Sequence, residues 1–190
     1  MIIMLRSVIE PKRFDIETNE YLFKKTIGYY NRDYTGYEKP NNPDFLNTLK
    51  NTFNRAGLRS LKSARDDVCR IIINDIPNII KDSSLSDWII TCVPRAKSQN
   101  QYSAEQLMFK EAVSIAADQI ENVVNGVDYI IRINDTYTTH LDKPTKLGTI
   151  RNNLGSKPYQ GITKGTCQIN TICIKDKNII LIDDIYILRP

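Results

Sequence analysis

The predicted fold rests on nine consecutive residues, Asn178-Ile179-Ile180-Leu181-Ile182-Asp183-Asp184-Ile185-Tyr186. Four successive apolar residues, three of them β-branched, predict a strand that is buried on both faces of a parallel sheet. Ligands of open α/β sheets bind beyond the carboxyl ends of the strands, where Asp183 and Asp184 lie. The acidic pair therefore indicates a ligand site. Because such a pair is equally typical of a turn or a helix N-cap, both interpretations stay open.

This stretch resembles the phosphoribosyl-pyrophosphate (PRPP) signature of type I phosphoribosyltransferases, particularly the small amidophosphoribosyltransferase-like proteins of the competence-protein F type. The resemblance implies that Asp183 and Asp184 hydrogen-bond the ribose hydroxyls of PRPP, with Tyr186 also in the PRPP site. In that family a Thr/Gly-rich loop follows, and its backbone N–H groups hold the 5′-phosphate. Here Ile187-Leu188-Arg189-Pro190 follow instead, so we expect the 5′-phosphate loop to be lacking.

Composition places the chain among ordinary soluble proteins. Its 190 residues suit one domain, and 41% hydrophobic with 25% charged residues is typical of a globular core. No apolar run is long enough for a signal peptide or a membrane span, which predicts a cytoplasmic protein without membrane contact. The absence of a C-x-x-C pair predicts free thiols, and no disulfide or metal framework, for Cys69, Cys92, Cys167 and Cys173.

A basic segment, residues 139–164, carries most of the charge asymmetry. It contains five cations and one acid, a difference equal to the net charge of +4 of the whole chain. Such a segment favours a phosphate-rich ligand, RNA or an acidic protein partner, although a solvated loop is an equally good interpretation. The candidate partner-binding cations are Lys143, Lys146 and Lys157.

The N-terminal leader, residues 1–44, is rich in tyrosine and in turn-forming residues, and predicts an irregular layer. Its tyrosines suit either packing on the core or a recognition surface. The candidates for such a surface are Tyr29, Tyr30 and Tyr34. Two helices are predicted over residues 45–86 to cover one face of the sheet. The first carries Phe45, Leu49 and Phe53 at four-residue spacing, and the second begins near Leu58 and ends at Pro77.

The remaining residues, 87–190, predict the α/β core. A strand over 87–94 is followed by a short basic loop, 95–98, and by a helix over 103–124 that begins with a capping box at Ser103 and Gln106. Asn125 and Gly126 are predicted to close that helix before a strand over 127–133, which completes a right-handed parallel crossover. A strand over 166–174 and a turn at 176–178 are predicted to return the chain to the acidic stretch.

The resemblance extends over residues 87–186. In the family the loop after the first core strand binds pyrophosphate, which implies that Arg95 and Lys97 would hold it as cations. The resemblance implies that residues 134–165 are the family's mobile loop. Thr138 and Thr139 precede His140 there, and Arg151 and Asn153 resemble the family's Arg-x-x-Asn element with one residue fewer between them. His140 stands where the family has Gln. As the sole histidine it does not predict a metal site.

These patterns predict a single α/β domain with a mostly parallel, Rossmann-like sheet of about four or five strands and flanking helices. They favour a non-catalytic phosphoribosyltransferase-fold protein that binds another macromolecule. One concrete form is a bacterial immunity protein that neutralises a toxin, and nucleic acid is a weaker candidate partner. No cofactor is expected in that case. The alternative is an active phosphoribosyltransferase that acts on a base or amine and uses PRPP with magnesium.

Overall fold

A computed structural model describes residues 10–19, 22–36, 38–81, 83–136 and 165–184. These residues form a mixed α/β structure with a parallel three-stranded sheet and flanking helices. Several predicted site residues lie outside the described ranges, as does the chain beyond residue 184. They are Thr138, Thr139, His140, Lys143, Lys146, Arg151, Asn153, Lys157 and Tyr186.

The leader contains regular structure, which corrects the prediction of an irregular layer. Strands β1 (Lys12–Ile16) and β2 (Thr26–Tyr30) pair antiparallel, and their register places Phe14 opposite Gly28. The Phe14 ring occupies the space that a Cβ at residue 28 would need, so this pairing requires glycine. The ring also packs edge-on against Tyr30 at a centroid distance of 6.0 Å.

Helix α1 (Asp44–Lys50) is shorter than the Phe45–Leu49–Phe53 spacing predicts. Asn51 adopts a left-handed conformation with φ 37°, and its side-chain oxygen accepts the backbone N–H groups of Arg55 and Ala56. Asparagine tolerates this conformation better than most residues, which explains why the helix ends here and not closer to Gly57. Phe53 consequently lies outside the helix and is exposed.

Helix α2 (Leu58–Ile80) buries the predicted stripe, including Leu61, Val68 and Ile72. The prediction that Pro77 ends this helix is wrong. Pro77 lies in the last turn, where its missing N–H removes one hydrogen bond only, and Lys81 N–H still donates to the Pro77 carbonyl at 3.0 Å. The helix therefore continues past the proline to Ile80.

The first core strand, β3 (Trp88–Cys92), confirms the prediction for this region. Two 3₁₀ helices (Gln99–Gln101 and Ala104–Leu107) follow, and the predicted capping box at Ser103 and Gln106 is present. Helix α3 (Met108–Ala117) ends well before residue 124. Asn122 turns the chain with φ 61°, and the next residues form strand β4 (Val123–Asn125) where a helix was predicted.

The predicted strand over 127–133 is reduced to β5 (Ile130–Arg132), which pairs antiparallel with β6 (Cys167–Ile169) and is separate from the parallel sheet. The predicted strand over 166–174 is also interrupted. Its second half forms the short helix α4 (Thr171–Ile174), because the Asn170 side chain accepts the Cys173 N–H and caps it. After a turn at Asp176, with φ 60°, the chain enters β7 (Asn178–Ile182).

The parallel sheet has the strand order β4-β3-β7, with β3 in the centre. Within the described ranges it has three strands, fewer than the four or five predicted. Helix α3 packs on β3 and β4, α2 packs on α3, and α1 packs on α2. The helix-facing side chains of the sheet join this core, among them Ile90, Cys92, Ile180 and Ile182.

Strand β7 is not buried on both faces, which corrects the prediction made for residues 179–182. Its side chains alternate, and Ile179 and Leu181 on the face away from the core are 38% and 49% exposed. In the part of the chain that the structure describes, β7 is an edge strand with a single paired neighbour, β3. The apolar run therefore correctly indicates a parallel strand, but only one of its faces joins the helical core.

Candidate functional site

The acidic pair follows β7 at the carboxyl edge of the parallel sheet. Asp184 N–H donates to Asp183 Oδ1 at 2.8 Å, and Lys50 Nζ lies 3.2 Å from Asp184 Oδ2. The Lys50 and Asp184 side chains are 29% and 22% exposed, so this ion pair is partly shielded from solvent. Lys50 comes from the last turn of α1, where a cation is favoured by the helix dipole.

The surroundings of Asp183 disfavour its charged form. Desolvation raises the pKa of Asp183, and the neighbouring Asp184 carboxylate raises it further, to about 7. The Lys50 charge acts in the opposite direction. Residue 183 still exposes more than a third of its surface, so solvent limits this shift and its direction is what matters. Full ionisation of both carboxyl groups is thus disfavoured at neutral pH.

Arg95 lies in the loop after β3. This loop runs beside the end of β7, the strand that precedes the acidic pair, because Val93 N–H donates to the Ile182 carbonyl at 2.9 Å. The Arg95 guanidinium contacts other residues of the chain. Arg95 Nη1 donates to the Gln106 carbonyl at 2.6 Å, and the guanidinium carbon lies 4.5 Å from the centre of the Tyr102 ring. The sheet therefore places Arg95 at its carboxyl edge, as predicted, but Gln106 and Tyr102 already contact the guanidinium.

Lys97 is also engaged. Its Nζ lies 3.8 Å from Asp135 Oδ2, while Asp135 Oδ1 accepts Ser98 N–H, Ser98 Oγ–H and Gln101 Nε2–H. Desolvation alone would raise the pKa of Asp135. The hydrogen bonds from Ser98 and Gln101 and the charge of Lys97 outweigh it, and the pKa is lowered. Asp135 is therefore a well-satisfied carboxylate that holds the basic loop.

Further contacts fix the loop of residues 94–98 against the chain that leaves β5. Thr136 donates to the Ala96 carbonyl from its backbone N–H at 2.7 Å and from its hydroxyl at 3.0 Å. Arg132 Nε donates to the Arg95 carbonyl at 3.1 Å. The sequence analysis missed Arg132, Asp135 and Thr136. The available signal was Arg132 at the end of an apolar stretch and the polar residues 134–136 that follow Ile133.

The three candidate tyrosines lie in and after β2. Tyr29 and Tyr34 are exposed, and the Tyr34 hydroxyl donates to Asn47 Oδ1 at 3.1 Å. Tyr30 is half-buried between the Phe14 ring and Lys12, whose Nζ lies 5.2 Å from the Tyr30 ring centre. Tyr29 and Tyr34 can therefore contact a partner, whereas Tyr30 mainly packs the β1–β2 pair.

The described residues contain no cluster of three His, Cys, Asp or Glu side chains that could hold a metal ion. Magnesium usually requires several oxygen ligands, and of the two adjacent carboxylates here one is paired with Lys50 and the other has a raised pKa. The residues that the structure describes at this edge therefore do not by themselves form a magnesium cage. Among the helices that the structure describes, none has the length and apolar character needed to cross a membrane.

Comparison with protein-family models, with curated proteins and with solved structures gave no match.

Proposed function

We propose that this chain acts by binding another macromolecule, and that its phosphoribosyltransferase-like sheet edge has a structural role. One observation carries the proposal. The structure describes several of the charged groups expected to contact PRPP. Each of these either has a partner in the chain or has a pKa shift that disfavours its charged form. Asp184 pairs with Lys50, Arg95 with Gln106 and Tyr102, and Lys97 with Asp135, while desolvation and the Asp184 charge raise the pKa of Asp183.

These internal contacts weaken the case for a PRPP site. A ligand would have to replace them, and a hydrogen bond to a charged group contributes about 1.5–3 kcal/mol to stability. The groups would then gain little from binding, because each new contact would replace an old one. The same contacts tie the carboxyl ends of β3 and β7 to α1 and to the chain after β5, which is useful to a stable binding protein.

The partner that best fits the sequence is an acidic protein. The basic segment, residues 139–164, concentrates a charge of +4, and electrostatic attraction would accelerate capture of such a partner. Exposed Tyr29 and Tyr34 offer a second surface with the amphipathic rings that interfaces favour. A bacterial immunity protein that neutralises a toxin is the concrete form we propose.

Charge reversal tests the basic segment. Replacing Lys143, Lys146 and Lys157 together by Glu should slow association with a partner captured from the native host and should flatten its salt dependence. The matched control reverses three exposed lysines elsewhere, Lys24, Lys62 and Lys175, with the same change in net charge. If both triple variants capture the partner at the same rate, the basic segment is excluded. Tyr29→Ala with Tyr34→Ala then tests the second surface.

A second candidate function is PRPP-dependent phosphoribosyl transfer to a base or amine, with magnesium bound to PRPP. The observation in its favour is the register of β3 and β7, which pairs Cys92 with Ile182 and so places Asp183 beside the basic loop. We expect calorimetric titration with PRPP and magnesium to detect no binding tighter than about 1 mM, equivalent to about 4 kcal/mol. A micromolar affinity that Asp183→Asn with Asp184→Asn abolishes would favour the enzyme instead.

A further inference from the structure

Strand β7 leaves one backbone edge of the parallel sheet open. The Ile182 carbonyl accepts the Val93 N–H at 2.9 Å, so the backbone groups of residue 182 point toward β3. Adjacent residues of a strand direct their backbone groups to opposite sides, so those of Ile179 and Leu181 point away from β3. Among the described residues no strand pairs with this edge. An open edge of this kind is a template for a further strand.

The side chains of β7 also favour a contact at this edge. Ile179 and Leu181 lie on the sheet face away from the helices and are 38% and 49% exposed. Proteins usually protect an open edge with a charged side chain, a proline or a bulge. Asn178–Ile182 contains no charge and no proline, and its unbroken register with β3 leaves no bulge. A strand beside β7 would bury both apolar side chains and pair the open backbone groups.

The charges that flank β7 have opposite signs at its two ends. Lys175 and Lys177 precede the strand, and Asp183 and Asp184 follow it. The Lys177 side chain is 40% exposed, and residue 183 is also exposed. Two antiparallel copies of β7 would therefore place the basic end of each strand beside the acidic end of the other. This charge complementarity favours a second copy of the chain as the partner.

One register satisfies all of these features. When the Ile180 residues of the two copies lie on a two-fold axis, Ile179 lies opposite Leu181. Lys177 then lies opposite Asp183 of the second copy. Residues 179 and 181 both direct backbone groups outward, so they form hydrogen-bonded pairs across the axis, and the two Ile180 residues form the non-hydrogen-bonded pair between them. Apolar side chains and opposite charges thus face each other on both sides of the axis.

We propose that β7 pairs antiparallel with β7 of a second copy of this chain. The contact joins the two three-stranded sheets into one sheet of six strands. It is isologous, since the same surface of both copies forms it. It uses neither the basic segment nor the candidate tyrosines, so it does not rest on the proposed function.

The opposite edge of the sheet, at β4, is less suited to such a contact. β4 has three residues, which limits the number of hydrogen bonds that it can form with another strand. Glu121 precedes it and Asp128 follows it, and no cation lies between them. Antiparallel pairing of two β4 strands would therefore bring acidic ends together without a counter-charge.

Sedimentation equilibrium of the full chain at pH 7 tests the proposal. An edge contact between two strands of five residues is small and belongs to the weak, transient class of interfaces. We therefore expect a monomer–dimer equilibrium with a Kd of about 10–100 µM, measured between about 5 and 500 µM protein. A chain that is monomeric throughout this range would overturn the proposal.

A matched pair of substitutions locates the contact. Leu181 and Val124 are each 49% exposed on the same face of the sheet, but they lie on opposite edge strands. Leu181→Lys should weaken the dimer about tenfold or more, because a lysine on an edge strand opposes pairing. Val124→Lys should leave the Kd unchanged. Equal weakening by both variants would place the contact elsewhere on the sheet and overturn the proposal.

A charge exchange tests the register. Lys177→Glu and Asp183→Lys should each weaken the dimer about tenfold, because each places like charges opposite each other at both ends of the contact. The double variant restores opposite charges and should recover the original Kd. Residues 177 and 183 of one chain are about 20 Å apart along the strand, so recovery requires a second copy and not the ion pair of Lys177 with Asp87. A double variant that stays weakened would contradict this register.

Hydrogen exchange at the Leu181 N–H identifies what covers the edge. Its protection should rise with protein concentration, with the same midpoint as dimer formation. Full protection at concentrations where the chain is monomeric would mean that another segment of the same chain pairs with β7, and the proposal would be overturned.

Discussion

Two carboxylates that each follow a strand, Asp135 after β5 and Asp183 after β7, respond to their surroundings in opposite ways. Asp135 accepts three hydrogen bonds and pairs with Lys97, and its pKa is lowered. Asp183 accepts one backbone N–H, faces the charge of Asp184, and has a raised pKa. Position after a strand therefore does not decide whether an aspartate is ready to bind a ligand. The number of donors around it does.

The largest expected effect is at Asp135. Asp135→Ala removes the acceptor of Ser98 and Gln101 and the partner of Lys97, so we expect the free energy of unfolding to fall by about 1.5–3 kcal/mol. Urea unfolding at pH 7 measures it. Because the folded pKa of Asp135 is lowered, its contribution is present above about pH 4 and lost as pH falls through the folded pKa.

The matched control for this variant is Asp66→Ala, since the Asp66 side chain is 61% exposed and its ion-pair partner among the described residues is Arg65, which Glu111 also holds. We expect a loss of about 0.2–1 kcal/mol there. If the two variants lose equal stability, the satisfied carboxylate after β5 is no more important than a surface ion pair, and the comparison fails.

A smaller effect of opposite sign is expected at Asp183. Its folded pKa is raised, so between about pH 4 and pH 7 the folded protein holds more protons than the unfolded chain, and stability falls as pH rises. Asp183→Asn stays neutral and can still accept the Asp184 N–H. Residue 183 is exposed, so solvent screens its charge and reduces the effect. The variant should therefore be more stable than the unaltered protein at pH 8 by about 0.5–1 kcal/mol.

Urea unfolding at pH 3 and pH 8 checks this expectation. At the lower pH the aspartate is protonated in both states, and the two proteins should have equal stability. A stability difference that stays constant between the two pH values would mean that the carboxyl group is not titrating against Asp184, and the contrast with Asp135 would disappear.

The smallest effect is expected at Lys50. Lys50→Gln breaks the pair with Asp184 and should lower the free energy of unfolding by about 0.2–1 kcal/mol at low salt. It should also raise the pKa of Asp183 further, because the Lys50 charge normally lowers it. Unfolding measured at low and at 1 M salt should reveal a difference that shrinks as the charges are screened. A difference independent of salt would point to lost side-chain packing instead.

Long apolar runs predicted the fold best. β3 and β7 were predicted because four or more apolar or β-branched residues in a row favour a buried strand. β4 has three residues, and Val123 and Val124 also fitted the apolar stripe of the preceding helix, so its period could not be determined from the sequence. The left-handed turn at Asn122, which ends the helical region, decides between the two interpretations.

The candidate site was predicted only in part. Parallel pairing of β3 and β7 brings Arg95, Lys97 and Asp183 to one edge of the sheet, as their positions after strands predicted. Their partners were not predictable, because Lys50 and Asp135 come from distant parts of the chain and carry no motif. Sequence patterns thus located the charged groups at this edge, whereas tertiary contacts determine which of them are available.

The central strand β3 obtains its two neighbours from different distances along the chain. The register pairs Trp88 with Val123, 35 residues later, and with Asn178, 90 residues later. Closing the longer loop costs about 0.8 kcal/mol more in chain entropy, and long-range pairing slows folding. We therefore expect β3, α3 and β4 to form an early folding unit that β7 joins late. The contacts of β7 would then mainly slow unfolding. In a chevron plot, Ile180→Val should therefore change the unfolding arm more than the folding arm.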